Sequence, residues 1–171
     1  MASLVQKISL MVLLLTGFVW LSEGEVCREC TKCPQYWMEI GEYCYQYFGN
    51  KMKFHDAENI CNRIGGDLPS IRNEEEGNTI YQLWKGLVNN PTKMDYAYWI
   101  GLRDTHQEKK FEWTDGTPLQ YNNWKHGEPN NWENEDCVEI RNAGNNDYER
   151  QRWNDRGCNH DRAFFCRKPL N

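Results

Sequence analysis

Hydrophobic positions change their spacing several times along this chain, and each change marks an element. Tyr36-Trp37-Met38 and Tyr43-Cys44-Tyr45-Gln46-Tyr47-Phe48 are aromatic-rich runs on either side of Gly41, which predicts two short strands joined by a turn. Phe54, Ala57, Ile60, Cys61 and Ile64 then recur at helical spacing until Gly65-Gly66 stops the run. A second helix is predicted after Asn73, whose side chain can cap it while Glu76 reciprocates as in a capping box. Ile80, Leu83, Trp84 and Leu87 supply its apolar stripe, and Asn89-Asn90-Pro91 ends it. Tyr96 to Leu102 reads as a strand. Beyond it turn residues dominate, interrupted only by brief segments such as Phe111-Glu112-Trp113 and Val138-Glu139-Ile140. Long irregular stretches are uncommon in compact domains unless they carry function.

The N-terminal residues follow none of these periods. Lys7 precedes an almost wholly apolar run from Ile8 to Leu21, and Ser22-Glu23-Gly24 follows it, so residues 1–24 are expected to be a secretory signal peptide. The run is shorter than the roughly 20 residues of a membrane-spanning helix, so membrane insertion is not expected. Residues 25–32 read as a short polar leader containing Cys27 and Cys30, and residues 33–168 as one domain. The expected location is extracellular. Eight cysteines in an exported chain point to disulfides. Their spacing cannot choose among the 105 possible pairings, and Cys27-x-x-Cys30-x-x-Cys33 leaves half a zinc knuckle as an alternative. The net charge of -5, without a basic stripe, disfavours a nucleic-acid partner.

Chemistry is concentrated in two segments. Glu128-Pro129-Asn130-Asn131-Trp132-Glu133-Asn134-Glu135-Asp136 and Trp153-Asn154-Asp155 bring together five acids and four amides beside Cys137 and Cys158. Oxygen donors gathered on irregular backbone are what a hard cation such as Ca2+ requires. Catalytic groupings are missing: Ser70 is the one serine after the signal, and His55, His106, His126 and His160 lack metal-ligand spacing. Paired carboxylates can hydrolyse glycosides, but a carboxylate that ligates calcium is a poor proton donor. The chain is therefore not expected to be an enzyme.

The order of motifs resembles a C-type lectin domain of the long form. The resemblance rests on Cys33-Pro34-Gln35-Tyr36-Trp37 leading to Cys44-Tyr45, Trp99-Ile100-Gly101-Leu102, Phe111-Glu112-Trp113-Thr114-Asp115-Gly116, Glu128-Pro129-Asn130, Trp153-Asn154-Asp155 and Phe165-Cys166. It spans Cys33 to Lys168 and implies an α+β fold, with two helices flanking small antiparallel sheets beneath a long calcium-binding loop region. It also implies disulfides Cys33–Cys44, Cys61–Cys166 and Cys137–Cys158, and a cis peptide at Pro129. The family's principal calcium site would fall on Glu128, Asn130, Glu135, Asn154 and Asp155. A second would fall on Asp104, Glu108, Asn131 and Asp136 and share Glu135; Asn131 stands where some relatives carry Asp.

Calcium takes roughly six to eight oxygens, so two vicinal sugar hydroxyls could complete the principal site. Glu128, Asn130, Glu135 and Asn154 would then exchange hydrogen bonds with the same hydroxyls. Glu-Pro-Asn resembles the mannose-type motif, implying mannose, fucose, glucose or N-acetylglucosamine on cell or microbial surfaces and a role in pathogen recognition or agglutination. Trp132 supports an alternative, a galactose-type site with an aromatic platform; a structural or biomineral-associated role is a third. Cys27 and Cys30 remain unassigned by the resemblance, either bonded to each other or joining a disulfide-linked homodimer. Asn90-Pro91-Thr92 is disqualified as an N-glycan acceptor by its proline.

Overall fold

The computed structural model describes residues 33–88, 97–142, 146 and 149–170. The expected signal peptide and leader, Cys27 and Cys30, the Asn89-Asn90-Pro91 helix stop and Tyr96 lie outside the described residues. The elements run in the order β1 (Met38–Ile40), β2 (Tyr43–Met52), α1 (Phe54–Arg63), α2 (Glu74–Leu87), β3 (Ala97–Arg103), β4 (Glu112–Trp113), β5 (Cys137–Arg141), a short 3-10 turn (Glu149–Gln151), β6 (Trp153–Arg156) and β7 (Arg162–Pro169).

The strands lie in the order β1-β2-β7-β3-β5-β6, with β4 paired to β3. The expected α+β fold, two helices with antiparallel strand pairing, is found, and one seam adds a parallel pair: β3 and β7 run parallel, with Tyr98 opposite Ala163 and Trp99 opposite Phe164. Parallel neighbours need a long connection. The loop region between Arg103 and Arg162 supplies it, so the segment richest in polar residues is also what lets β7 return alongside β3.

Two local expectations shift for identifiable reasons. Tyr36 lies in a turn with a positive φ of 71°, so the first strand begins at Met38 rather than at Tyr36. In α2 the Asn73 side chain accepts the Glu76 N–H at 2.8 Å, but the Glu76 carboxylate does not complete a capping box on Asn73. It accepts instead from the Arg72 N–H at 2.8 Å and from the Arg72 guanidinium at 2.7 Å, because that cation competes for the carboxylate one residue earlier. The buried stripe of α2 is Gly77, Ile80, Tyr81 and Trp84; Leu87, in the last turn, is exposed.

One buried cluster joins Ile80 and Trp84 of α2 to Tyr98 and Ile100 of β3, Val138 and Ile140 of β5, Trp153 of β6 and Phe165 of β7. The other joins Phe54, Ala57 and Cys61 of α1 to Leu68, Trp99, Phe164 and Cys166. Gly101 in β3 is where backbones approach: a Cβ there would sit 2.6 Å from the Leu68 carbonyl oxygen and 2.6 Å from Thr114 Oγ1. Disulfides join Cys33 to Cys44, Cys61 to Cys166 and Cys137 to Cys158. The last ties the start of β5 to the turn after β6. Among the described residues no helix is long and apolar enough to cross a membrane.

Candidate functional site

Trp153 fixes the ground on which the acidic loop stands. Its indole is fully buried, with Trp113, Tyr121 and Trp124 edge-on around it at ring-centroid distances of 5.5, 5.8 and 5.7 Å. Its backbone also receives the loop: Trp153 N–H donates to the Asn123 carbonyl at 2.9 Å, and Lys125 N–H donates to the Trp153 carbonyl at 2.9 Å. The next two residues, Asn154 and Asp155, are thus held by a rigid aromatic base while β6 pairs with β5, Glu139 facing Asn154 and Val138 facing Asp155.

From that base the segment 127–136 bends sharply. Glu128-Pro129 is a cis peptide, and Gly127, Asn131, Glu133 and Asn134 all have positive φ. Asparagine tolerates that conformation better than most side chains, which is one reason amides are dense here. The bends turn successive backbone N–H groups inward. Asn130 N–H donates to Asp155 Oδ1 at 3.2 Å and Asn131 N–H to Asp155 Oδ2 at 2.7 Å, so the fully buried Asp155 carboxylate holds the loop to β6. Asn130 Oδ1 accepts from Trp132 N–H at 2.7 Å, while its Nδ2 donates to Glu128 Oε2 at 2.5 Å. Asn131 Oδ1 accepts from Glu135 N–H at 2.8 Å.

The five residues of the expected principal site therefore lie in one hydrogen-bonded patch with three buried members, Glu135, Asn154 and Asp155. Glu128 and Asp155 lie within hydrogen-bonding reach of one another, and Glu135 is close enough to act on both. Among the described residues, the one group of three His, Cys, Asp or Glu ligand atoms within 4.8 Å of one another is His55, Cys137 and Cys158, an imidazole beside a disulfide. The acidic groups also accept from nearby donors: Glu128 from Asn130 Nδ2, Asp155 from the loop backbone, and Glu135 from Arg156 Nη1 at 3.1 Å. Asn154 Nδ2 donates to the Asp155 carbonyl at 2.5 Å and lies 3.4 Å from Glu139 Oε1. Arg156 and Glu139 were not among the residues expected at the site. Strand alternation around Asn154-Asp155 was the one signal available for them, and it does not say that a guanidinium reaches Glu135 or that a buried acid lies behind an amide.

The second expected set is also drawn together. Asp104 N–H donates to the Asp136 carbonyl at 3.0 Å, Lys109 N–H donates to Asp104 Oδ2 at 2.8 Å, and Asn131 Nδ2 donates to Glu108 Oε1 at 2.8 Å. Asp136 accepts from Asn134 Nδ2 at 2.9 Å. Asp104 Oδ1 is buried without a partner. Trp132, whose N–H bonds to Asn130, has its side chain 68 % exposed.

The electrostatics suit a hard cation. Burial, then a hydrogen bond shared with Asp155 and the charges of Asp155 and Glu135, push the Glu128 carboxyl up from 4.5 to about 7. Burial and Asp155 also raise Glu135, although Arg156 opposes them, and burial raises Asp104. Like charges held this close favour protonation unless a cation offsets them. The donor set, carboxylates mixed with amides and one orphaned buried oxygen, fits calcium better than a soft metal.

Nothing in the described residues resembles a nucleophile with its base. Ser70 Oγ is occupied in an ionic network, donating to Asp115 at 2.7 Å and accepting from Arg167 Nη2 at 2.5 Å.

The family described as Lectin C-type domain matches residues 50–168. An alpha-N-acetylgalactosamine-specific lectin of Patiria pectinifera is 34% identical over 169 residues, covering 93% of this chain and 94% of its own. C-type lectin domain family 4 member M of Nomascus concolor is 35% identical over 145 residues, 83% of this chain but 33% of that protein's length. Among solved structures, the carbohydrate-recognition domain of the mouse scavenger receptor C-type lectin superposes with a TM-score of 0.68 at 32% identity, over 81% of this chain and 98% of the other. The relatives named here are lectins and a carbohydrate-recognition domain, not enzymes. On its sequence, its fold and its loop architecture, this chain belongs to the C-type lectin domain family.

Proposed function

We propose that the protein is a secreted, calcium-dependent lectin that binds the vicinal hydroxyls of mannose-, fucose- or N-acetylglucosamine-type glycans at Glu128, Asn130, Glu135, Asn154 and Asp155. The observation that carries this reading is the Asp155 carboxylate, fully buried and bonded to the backbone of Asn130 and Asn131, which joins the two ligand-bearing segments. Bound calcium supplies open coordination positions for two neighbouring hydroxyls. The chain's own residues do the rest. Glu128 and Glu135 accept hydrogen bonds from those hydroxyls, and the Asn130 and Asn154 amides donate to them. Asp155 holds the loop, and Asp104, Glu108, Asn131 and Asp136 brace it at a second cation site. The Glu-Pro-Asn order of acid and amide sets which hydroxyl stereochemistry meets acceptor and donor.

A galactose-type reading has its own support. Trp132 is 68 % exposed beside the motif, and the relative from Patiria pectinifera is named as specific for alpha-N-acetylgalactosamine. In that reading Trp132 stacks on the apolar face of the sugar.

Monosaccharide contacts of this kind are shallow, so useful affinity would come from linked copies, for which Cys27 and Cys30 are the candidate interchain cysteines. Passage over mannose-agarose and galactose-agarose in calcium, followed by a chelator, tests the function. Chelator-released retention on mannose-agarose supports the first reading and on galactose-agarose the second. Passage through both columns contradicts sugar binding.

A further inference from the structure

Glu139 is neither a proposed ligand nor a sugar contact, yet it is almost completely buried, 1% exposed. Register across the sheet places it between Trp99 of β3 and Asn154 of β6, and residues opposite one another on paired strands share a face. A carboxylate in such a position is costly unless its oxygens are matched with donors. Both are matched: Oε2 accepts from Arg162 Nε at 2.5 Å, and Oε1 faces Asn154 Nδ2 at 3.4 Å. Arg162 is itself held, its guanidinium 5.9 Å from the centre of the Trp99 ring and its Nη1 donating to the Asp161 carbonyl at 2.9 Å.

We infer that Glu139 is a positioning residue for the cation site: it decides which end of the Asn154 amide is offered to calcium. The inference rests on the proposed calcium site and names a residue on which that site depends. Asn154 serves a cation only through Oδ1, because its Nδ2 is a donor. The two ends of an amide have nearly the same shape, so packing does not choose between them and hydrogen-bond partners do. Here Nδ2 meets acceptors, the Glu139 carboxylate and the Asp155 carbonyl at 2.5 Å. Turning the amide over would set Oδ1 against those oxygens with no hydrogen between them, so Oδ1 is the end left for the cation. A glutamine in place of Glu139 reverses this logic. Its single oxygen goes to the Arg162 cation, the stronger donor; its NH2 then faces Asn154, whose amide turns over to accept and brings Nδ2 toward the cation.

The experiment measures calcium affinity by calorimetry, and thermal melting in chelator, for the wild-type chain, Glu139→Gln, Asn154→Asp and the double variant. Glu139→Gln is expected to weaken calcium binding at least about tenfold, as is usual when a group that orients a metal ligand is changed, while still melting cooperatively in chelator. Asn154→Asp alone, which sets two carboxylates face to face, is expected to weaken it as well. The double variant restores a matched pair, glutamine NH2 to aspartate oxygen, and is expected to bind calcium more tightly than either single variant. Losses that simply add would mean that Glu139 only supports the sheet, and would overturn the inference; so would wild-type calcium affinity in Glu139→Gln. Should a variant fail to melt cooperatively, the wild-type crystal structure with calcium decides. The Asn154 atom on the cation is its oxygen, and the other end of the amide is expected within hydrogen-bonding distance of Glu139; an amide end turned to any other group overturns the inference. Absence of calcium binding by the wild-type chain overturns the proposed site, and the role of Glu139 with it.

Discussion

Asp155 and Asn131 lie 24 positions apart in the chain, yet the Asp155 Oδ2 accepts the Asn131 backbone N–H at 2.7 Å. A residue of the central sheet thereby sets the shape of the loop that carries the other candidate ligands. Charge-assisted bonds of this kind contribute about 1.5–3 kcal/mol each. Asp155→Ala is expected to lower the melting temperature of the metal-free protein by at least about 3 °C and to abolish calcium-dependent sugar retention. Asp155→Asn keeps an acceptor but loses the charge, so its metal-free melting temperature should fall less while retention is lost equally. Retention by Asp155→Asn at the wild-type level would contradict the dual role.

Acid and calcium should act on the site in opposite senses. The folded, metal-free chain holds a proton on Glu128 up to about pH 7, whereas an unfolded glutamate releases it near 4.5. Between those values the folded state binds more protons, so metal-free stability should fall as pH rises through the window. Calcium requires the ionised carboxylates and stabilises only the folded chain. The rise in melting temperature on adding calcium should therefore be larger at pH 7.5 than at pH 5, and Glu128→Gln should flatten the metal-free slope. Melting curves in chelator and in millimolar calcium at the two pH values check this; a calcium effect as large at pH 5 would contradict it.

Selectivity should follow the exchange of acid and amide. Glu128→Gln with Asn130→Asp reverses donor and acceptor around the same two hydroxyls, and the exposed Trp132 stands ready to stack on a galactose face. Competition by free mannose and free galactose should shift toward galactose in the double variant. An unchanged preference would mean that contacts beyond these two residues decide the sugar.

Gly101 tests the packing that supports the site. An added methyl would sit 2.6 Å from both the Leu68 carbonyl oxygen and Thr114 Oγ1, and the former is backbone that cannot swing aside. Gly101→Ala is expected to destabilise the fold by about 1–3 kcal/mol, readable by urea denaturation, with calcium affinity of the folded fraction preserved.

The sequence's helical periodicities locate α1 and α2, because Phe54, Ala57 and Cys61, and Ile80 and Trp84, recur on one buried face each. Gly65, with a φ of 76°, follows the end of α1 as the Gly-Gly pair indicates. The parallel β3–β7 seam was not legible, since strand direction depends on a long connection whose path no local pattern encodes. Disulfide pairing was equally out of reach of cysteine spacing and entered only through resemblance. At the site, residue chemistry identifies oxygen donors, but which side chains hydrogen-bond to them depends on what the fold brings near. Arg156 on Glu135 and Asn130 on Glu128 are such cases, and neither contact follows from a motif.

The most direct test is a crystal structure grown with calcium and methyl mannoside. One cation is expected, coordinated by oxygens of Glu128, Asn130, Glu135, Asn154 and Asp155 together with two vicinal sugar hydroxyls. A structure in which Glu128 and Asp155 share no ion, or in which the sugar binds away from it, would show that these residues do not form a calcium-dependent sugar site.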